Sequence, residues 1–171
     1  MKIIKTIVLC FFCLLSVFSS CSEEDIRSAI FSEFNQRQKA DGFRMLRMFV
    51  LCPDKFEGYF LQYGGFRKFS LDEAREHFIK NHFGLLNHLN NESRITDSFY
   101  HFPLQPKDIS LLYIYFEAEG KSAQYPYVEM VEIDGSNIKY TFVHNSDIQE
   151  TKVESYDEAY QKVYGRPARA Q

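Results

Sequence analysis

Ser70-Leu-Asp-Glu-Ala-Arg-Glu-His-Phe-Ile-Lys-Asn-His-Phe-Gly-Leu-Leu-Asn-His-Leu-Asn-Asn91 reads as one long amphipathic helix, and the fold follows from it. Ser70 and Glu73 make a capping box: the serine hydroxyl accepts from the amide three residues on, and the glutamate reaches back. Leu71, Ala74, Phe78, His82, Leu85 and Leu89 then repeat at helical spacing, with Ile79 and Leu86 widening the stripe. Asn90-Asn91 ends it. A helix with so broad an apolar face needs a sheet to lie on.

The flanking sequence supplies strands. Upstream, Phe43 to Cys52 is apolar and stops at Pro53-Asp54, and Phe56 to Tyr63 is aromatic and stops at Gly64-Gly65. Together they predict a hairpin. Downstream, Ile109 to Ala118 is apolar or aromatic on both alternating faces, the pattern of a central strand. Tyr125 to Ile133 and Asn137 to Val143 flank Asp134-Gly135, the strongest short hairpin signal. Tyr127, Val131 and Ile133 share a face with Ile138, Tyr140 and Phe142, and Glu129 is the misfit there.

Two shorter helices frame these elements. Ser22 to Lys39 places Ile26, Ile30 and Phe34 on one face with Ala29 beside them, behind an acidic first turn that suits the helix dipole. Ser155-Tyr-Asp-Glu158 is a second capping box, opening a helix to about Tyr164, which Gly165 and Pro167 end. The expected order is α-β-β-α-β-β-β-α. That is an α+β domain, an antiparallel sheet of about five strands with helices on one face, spanning 21–165, with 166–171 a frayed tail.

The N-terminus carries an address. Lys2 and Lys5 precede an apolar run from Thr6 to Phe18, then Ser19-Ser20-Cys21. The run is too short to span a membrane and has the layout of a secretory signal peptide over 1–20. Phe18-Ser19-Ser20-Cys21 resembles the bacterial lipobox, with Phe18 in place of the usual Leu. The resemblance implies cleavage before Cys21, acylation of its thiol, and anchoring in the cell envelope through two or three acyl chains. Ser22 is not Asp, which in a Gram-negative host favours the outer membrane by the lipoprotein sorting rule. Cleavage after Ser19 and free secretion is the competing reading, and a retained apolar N-terminus is a third.

Past the address, Asp72-Glu-Ala-Arg75, Phe102-Pro-Leu before Lys107-Asp-Ile, Leu112-Tyr-Ile-Tyr-Phe116, Pro126-Tyr-Val128, and Gly135 before Ile138-Lys-Tyr140 resemble a group of uncharacterised bacterial proteins of chlamydia-like organisms. The resemblance covers roughly 55–165. It implies a secreted or lipid-anchored domain and carries over no activity and no site.

Composition narrows the partners. The chain holds 20 Lys+Arg against 23 Asp+Glu, a formal net charge of −3, and losing Lys2 and Lys5 with the leader makes it more acidic still. No dense basic cluster appears, which argues against a nucleic-acid partner. Cys10 and Cys13 lie in the leader, so acylation of Cys21 leaves Cys52 without a disulfide partner. Free secretion would allow a Cys21–Cys52 bridge.

No reaction motif stands out. His77, His82, His88, His101 and His144 lack metal-ligand spacing, and His82 falls in the helix stripe as a core histidine. Cys52 has no nucleophile signature around it. Glu117 with Glu119, or Glu129 with Glu132, are carboxylate pairs more suited to a solvated turn or to partnering an arginine or tyrosine than to glycosidic chemistry. The expectation is therefore no catalytic residue, no metal and no cofactor. The membrane is met through the anchor, and an unknown protein or small ligand is met through an aromatic face of Tyr113, Tyr115, Tyr127 and Tyr140. The alternatives are an unrecognised enzyme using Cys52 or a carboxylate with a histidine, and a freely secreted effector or inhibitor.

Overall fold

The computed structural model describes residues 23–51, 58–99, 101–144 and 148–167. Helix α1 (Glu23–Ala40) leads into the strands β1 (Phe43–Leu51) and β2 (Gly58–Phe66), then helix α2 (Leu71–Asn90). Two short 3-10 turns, Ser93–Ser98 and Pro106–Asp108, precede β3 (Ile109–Ala118) and β4 (Lys121–Ser122). The strands β5 (Met130–Asp134), β6 (Asn137–His144) and β7 (Ile148–Ser155) and helix α3 (Tyr156–Tyr164) complete the chain. This is an α+β domain with three helices and a mostly antiparallel sheet.

The sheet departs from the expectation in number, in order and in sense: the elements run α-β-β-α-β-β-β-β-β-α. It has seven strands, six of them in the row β1-β2-β3-β5-β6-β7, with β4 paired to β3. The β2–β3 pair is parallel, from Tyr59↔Ile109 to Phe66↔Phe116. A parallel pair needs a crossover, and α2 is that crossover. β7 escapes a sequence reading because Ile148-Gln-Glu-Thr-Lys-Val-Glu-Ser155 is polar on both faces, as an edge strand can be.

Gly64-Gly65 does not stop β2 but lies inside it. A Cβ on Gly65 would stand 2.5 Å from Phe43 Cδ1, and one on Gly64 2.9 Å from Phe116 Cε2. The glycines are there so that two aromatic rings can lie across the strand. The strand expected from Tyr125 begins only at Met130. Pro126 brings no N–H to a ladder, and the segment is held instead by single bonds, Tyr125 N–H to Val143 O (2.9 Å) and Glu129 N–H to Thr141 O (2.8 Å). The β5–β6 hairpin turns through Gly135-Ser136, with Gly135 at φ 61° as a primed turn requires.

Both expected capping boxes form, at Ser70/Glu73 and Ser155/Glu158. The α2 stripe is buried at Ala74, Phe78, Ile79, His82, Leu85, Leu86 and Leu89. In α1, Ile26, Ile30 and Phe34 are buried as expected; Ala29 is exposed, and Phe31 takes the place given to it. All three helices lie on one face of the sheet. Phe34 of α1 meets Tyr63 of β2 at 5.8 Å, Phe78 of α2 meets Tyr113 of β3 at 6.4 Å, and Tyr156 of α3 reaches His82 at 5.1 Å. On β3, Ile109, Leu111, Tyr113 and Tyr115 are buried under these helices, whereas Leu112, Ile114 and Phe116 on the reverse face are half-buried.

Two glycines should respond oppositely to alanine. Gly65→Ala forces the Phe43 ring to move and should cost about 1–3 kcal/mol, the usual penalty of overpacking. Gly84, inside α2, has nothing within 4 Å of an added Cβ, so Gly84→Ala should stabilise by about 0.5–1 kcal/mol through helix propensity. Denaturant midpoints at constant m-value read both changes.

Candidate functional site

Two polar constellations stand out among the described residues. The first is inside the core. The Tyr113 hydroxyl donates to Gln38 Oε1 at 2.7 Å, Gln38 Nε2 donates to Asn81 Oδ1 at 2.6 Å, and Asn81 Nδ2 donates to the His77 carbonyl at 2.8 Å. This chain joins β3, α1 and α2. Gln38 was missed by sequence reasoning, yet it continues the four-residue step of Ile26, Ile30 and Phe34. Its polarity hid a position that its spacing marked.

His77 and His82 flank this network. His82 is fully buried, with Nε2 2.9 Å from the Ile109 carbonyl and Nδ1 3.0 Å from the Tyr156 hydroxyl. A carbonyl only accepts, so Nε2 carries the proton and Nδ1 accepts from the phenol. Burial holds the ring in the neutral form, because an imidazolium, which would donate to both partners, is penalised in the dry interior. His77 stacks on Phe43 at 4.6 Å, its Nδ1 lies 3.2 Å from the Tyr115 hydroxyl, and its Nε2 is sealed with no partner among the described residues. Burial pushes both histidines down to about 4; the Arg67 charge adds to this at His77, and the Ile109 carbonyl opposes it at His82.

The second constellation lies where α2, β7 and α3 meet. Arg75 Nε donates to Glu154 Oε1 at 2.6 Å, with both side chains only 10% exposed. Arg75 also pairs with Asp72, and Lys162 pairs with the other Glu154 oxygen. The Tyr140 ring lies 6.0 Å from the guanidinium. A shallow cavity of about 310 Å³ opens here, lined by Leu71, Arg75, Tyr140, Lys152 and Glu154 among others.

The electrostatics of this cavity are those of a staple. Burial works against the Arg75 charge, but Glu154 and Asp72 outweigh it and hold the guanidinium above its usual range. Burial also opposes the Glu154 charge, yet Lys162, Arg75 and Tyr140 hold it below the usual carboxylate range. Burial, then Glu154, pushes the Tyr140 phenol far up. Arg75 and Glu154 are held charged and Tyr140 is held protonated, whereas acid–base catalysis needs a group whose titration is drawn toward pH 7.

The sequence-derived candidates are dispersed by the fold. Tyr113 and Tyr115 are 0% exposed and Tyr140 1%, so the row read as a ligand face is interior, roofed by the helices. Tyr127 is half-buried outside the strands, with Lys68 5.8 Å from its ring. His101 is exposed, His88 half-buried, and His144 meets Glu150 at 3.2 Å. Glu117 pairs with Lys68 at 2.7 Å, and Glu119 is exposed beside the turn. Among the described residues, no three His, Cys, Asp or Glu side chains are placed to hold a metal ion. Cys21, Cys52 and the leader lie outside the described residues. No protein-family model, curated protein or solved structure matches the chain.

Two predictions follow from the buried charges. An unfolded histidine titrates near 6.5 and these two near 4, so between those values the unfolded chain binds protons that the folded chain refuses. Stability is full above about pH 6.5, falls through the window to about pH 4, and levels off for these groups below it. Each histidine contributes up to about 3 kcal/mol. Unfolding free energies measured from pH 7.5 to 4 should show this slope, and His82→Gln should make it shallower. Separately, Glu154→Ala should cost about 3 kcal/mol by stranding a buried guanidinium, and Arg75→Met with Glu154→Leu should recover most of it. Denaturant titration of single and double variants reads the coupling.

Proposed function

We propose that the protein is a lipid-anchored bacterial envelope lipoprotein whose α+β domain serves as a non-enzymatic binding module. The observation that carries this reading is Phe18-Ser19-Ser20-Cys21, with helix α1 opening at Glu23. Acylated Cys21 supplies the membrane attachment, and a single residue, Ser22, separates it from the first helix. A tether that short holds the domain against the bilayer rather than at the end of a mobile stalk.

Support for a binding role comes from what the polar groups do. The Arg75–Glu154–Lys162 cluster and the Gln38–Tyr113 network each spend their hydrogen bonds on joining helices to the sheet. Exposed apolar side chains stand at Leu46, Phe49 and Phe66 instead, and these suit contact with a partner. The mildly acidic composition favours a protein or lipid partner over nucleic acid.

Intact-mass measurement of the mature N-terminus, with a Cys21→Ala control, tests the anchor. The expected result is a chain starting at Cys21 and heavier by two or three acyl groups, lost in the control. An unmodified chain starting at Ser20 overturns it.

A further inference from the structure

The edge strand β1 changes character along its length. Phe43, at its start, is 2% exposed. At its other end Met48 is 38%, Phe49 48% and Val50 41% exposed. The register places these apolar side chains on both faces of the sheet: Met48 and Val50 stand opposite Leu61 and Tyr59 on the helix face, and Phe49 stands opposite Phe60 on the reverse. Phe49 and Phe60 stack at 4.7 Å with their planes 8° apart. Among the described residues this strand end is apolar on both faces and left exposed on both, which is unusual for a chain with so large a core.

The start of α1 lies at this same end. Phe34 packs on Tyr63 and Phe31 on Tyr59, so the helix runs from the start of β2 toward its finish. Tyr59 pairs with Val50. Glu23 stands eight residues before Phe31, about 12 Å further out along the helix axis. The chain therefore enters the domain from the end of the sheet that carries Met48, Phe49 and Val50, and Cys21 stands two residues before that entry.

We propose that this end of β1, built by Met48, Phe49 and Val50 over Phe60, docks into the bilayer surface beside the lipid anchor. The inference rests on the lipid-anchor reading above. The anchor supplies proximity, and the aromatic and aliphatic side chains bury their apolar surface at the headgroup–acyl boundary. The contact is apolar, not ionic, because the first turn of α1 at this end is acidic, with Glu23, Glu24 and Asp25. It also fixes how the domain stands: β1's far end and Phe66, 57% exposed, point away from the lipid.

The chain contains no Trp, so one introduced indole reports alone. Phe49→Trp, Met48→Trp and Phe66→Trp are made in the full chain, and the mature proteins are reconstituted into phosphatidylcholine vesicles with brominated acyl chains. Bromine should at least halve the emission of the indoles at 49 and 48, leave that at 66 nearly unchanged, and do so equally at low and high salt. Quenching at 49 and 48 no greater than at 66 overturns the docking. Loss of quenching in salt overturns its apolar basis. A blue shift without quenching that grows with protein concentration assigns the patch to a second copy instead. Intact mass on the same samples separates the two claims: an unacylated Cys21 removes the anchor and the docking together, whereas an acylated chain with unquenched indoles removes the docking alone.

Discussion

One imidazole ties this domain together. His82 sits in the middle of the crossover helix, donates to the carbonyl that begins β3, and accepts from the phenol that begins α3. Three elements distant in sequence are thereby fixed in angle as well as in distance. Burial keeps the ring neutral, and the Ile109 carbonyl then selects the tautomer with its proton on Nε2. A leucine there would fill the volume but leave the Ile109 carbonyl and the Tyr156 hydroxyl to find other partners in a dry interior.

Around that point the helices are attached by polar bonds laid into an aromatic core. Gln38 and Asn81 bridge α1 to α2 over Tyr113, and Arg75 and Glu154 bridge α2 to β7. Directional bonds of this kind add little net free energy but penalise misplacement, because every partner lost leaves a buried group unpaired. Phe and Tyr side chains provide the bulk, and the polar links decide how the helices sit on it. The tyrosines at 113 and 115 belong to this scheme: they cross the layer and set their hydroxyls against Gln38 of α1 and His77 of α2.

Much of this was legible in the chain. The capping boxes at Ser70 and Ser155, the α2 stripe, the limits of β3 and the turn after Asp134 all follow from local chemistry, and His82 announced itself by its place in the stripe. The losses have a common cause, which is that partners distant in sequence decided the outcome. β7 carries no apolar alternation because it needs none at an edge. The two glycines of β2 look like a turn until Phe43 and Phe116 are known to lie over them. Parallel pairing of β2 with β3 depends on which edge the crossover reaches, and periodicity is silent on that. For the candidate site, the tyrosine alternation was visible but not the side of the sheet that would be roofed.

The sheet has two edges of opposite temper. β7 presents Gln149, Glu150, Thr151 and Lys152, a mostly polar stretch broken by the exposed Val153, which discourages another strand from joining it. β1 carries the exposed Arg44 and Arg47 in its first part and only the apolar Met48, Phe49 and Val50 beyond them. Strand addition is therefore opposed least at the last part of β1. Two copies joining there would each bury the permissive edge and present only guarded ones, so assembly by that route closes at a pair and does not run on into a fibre.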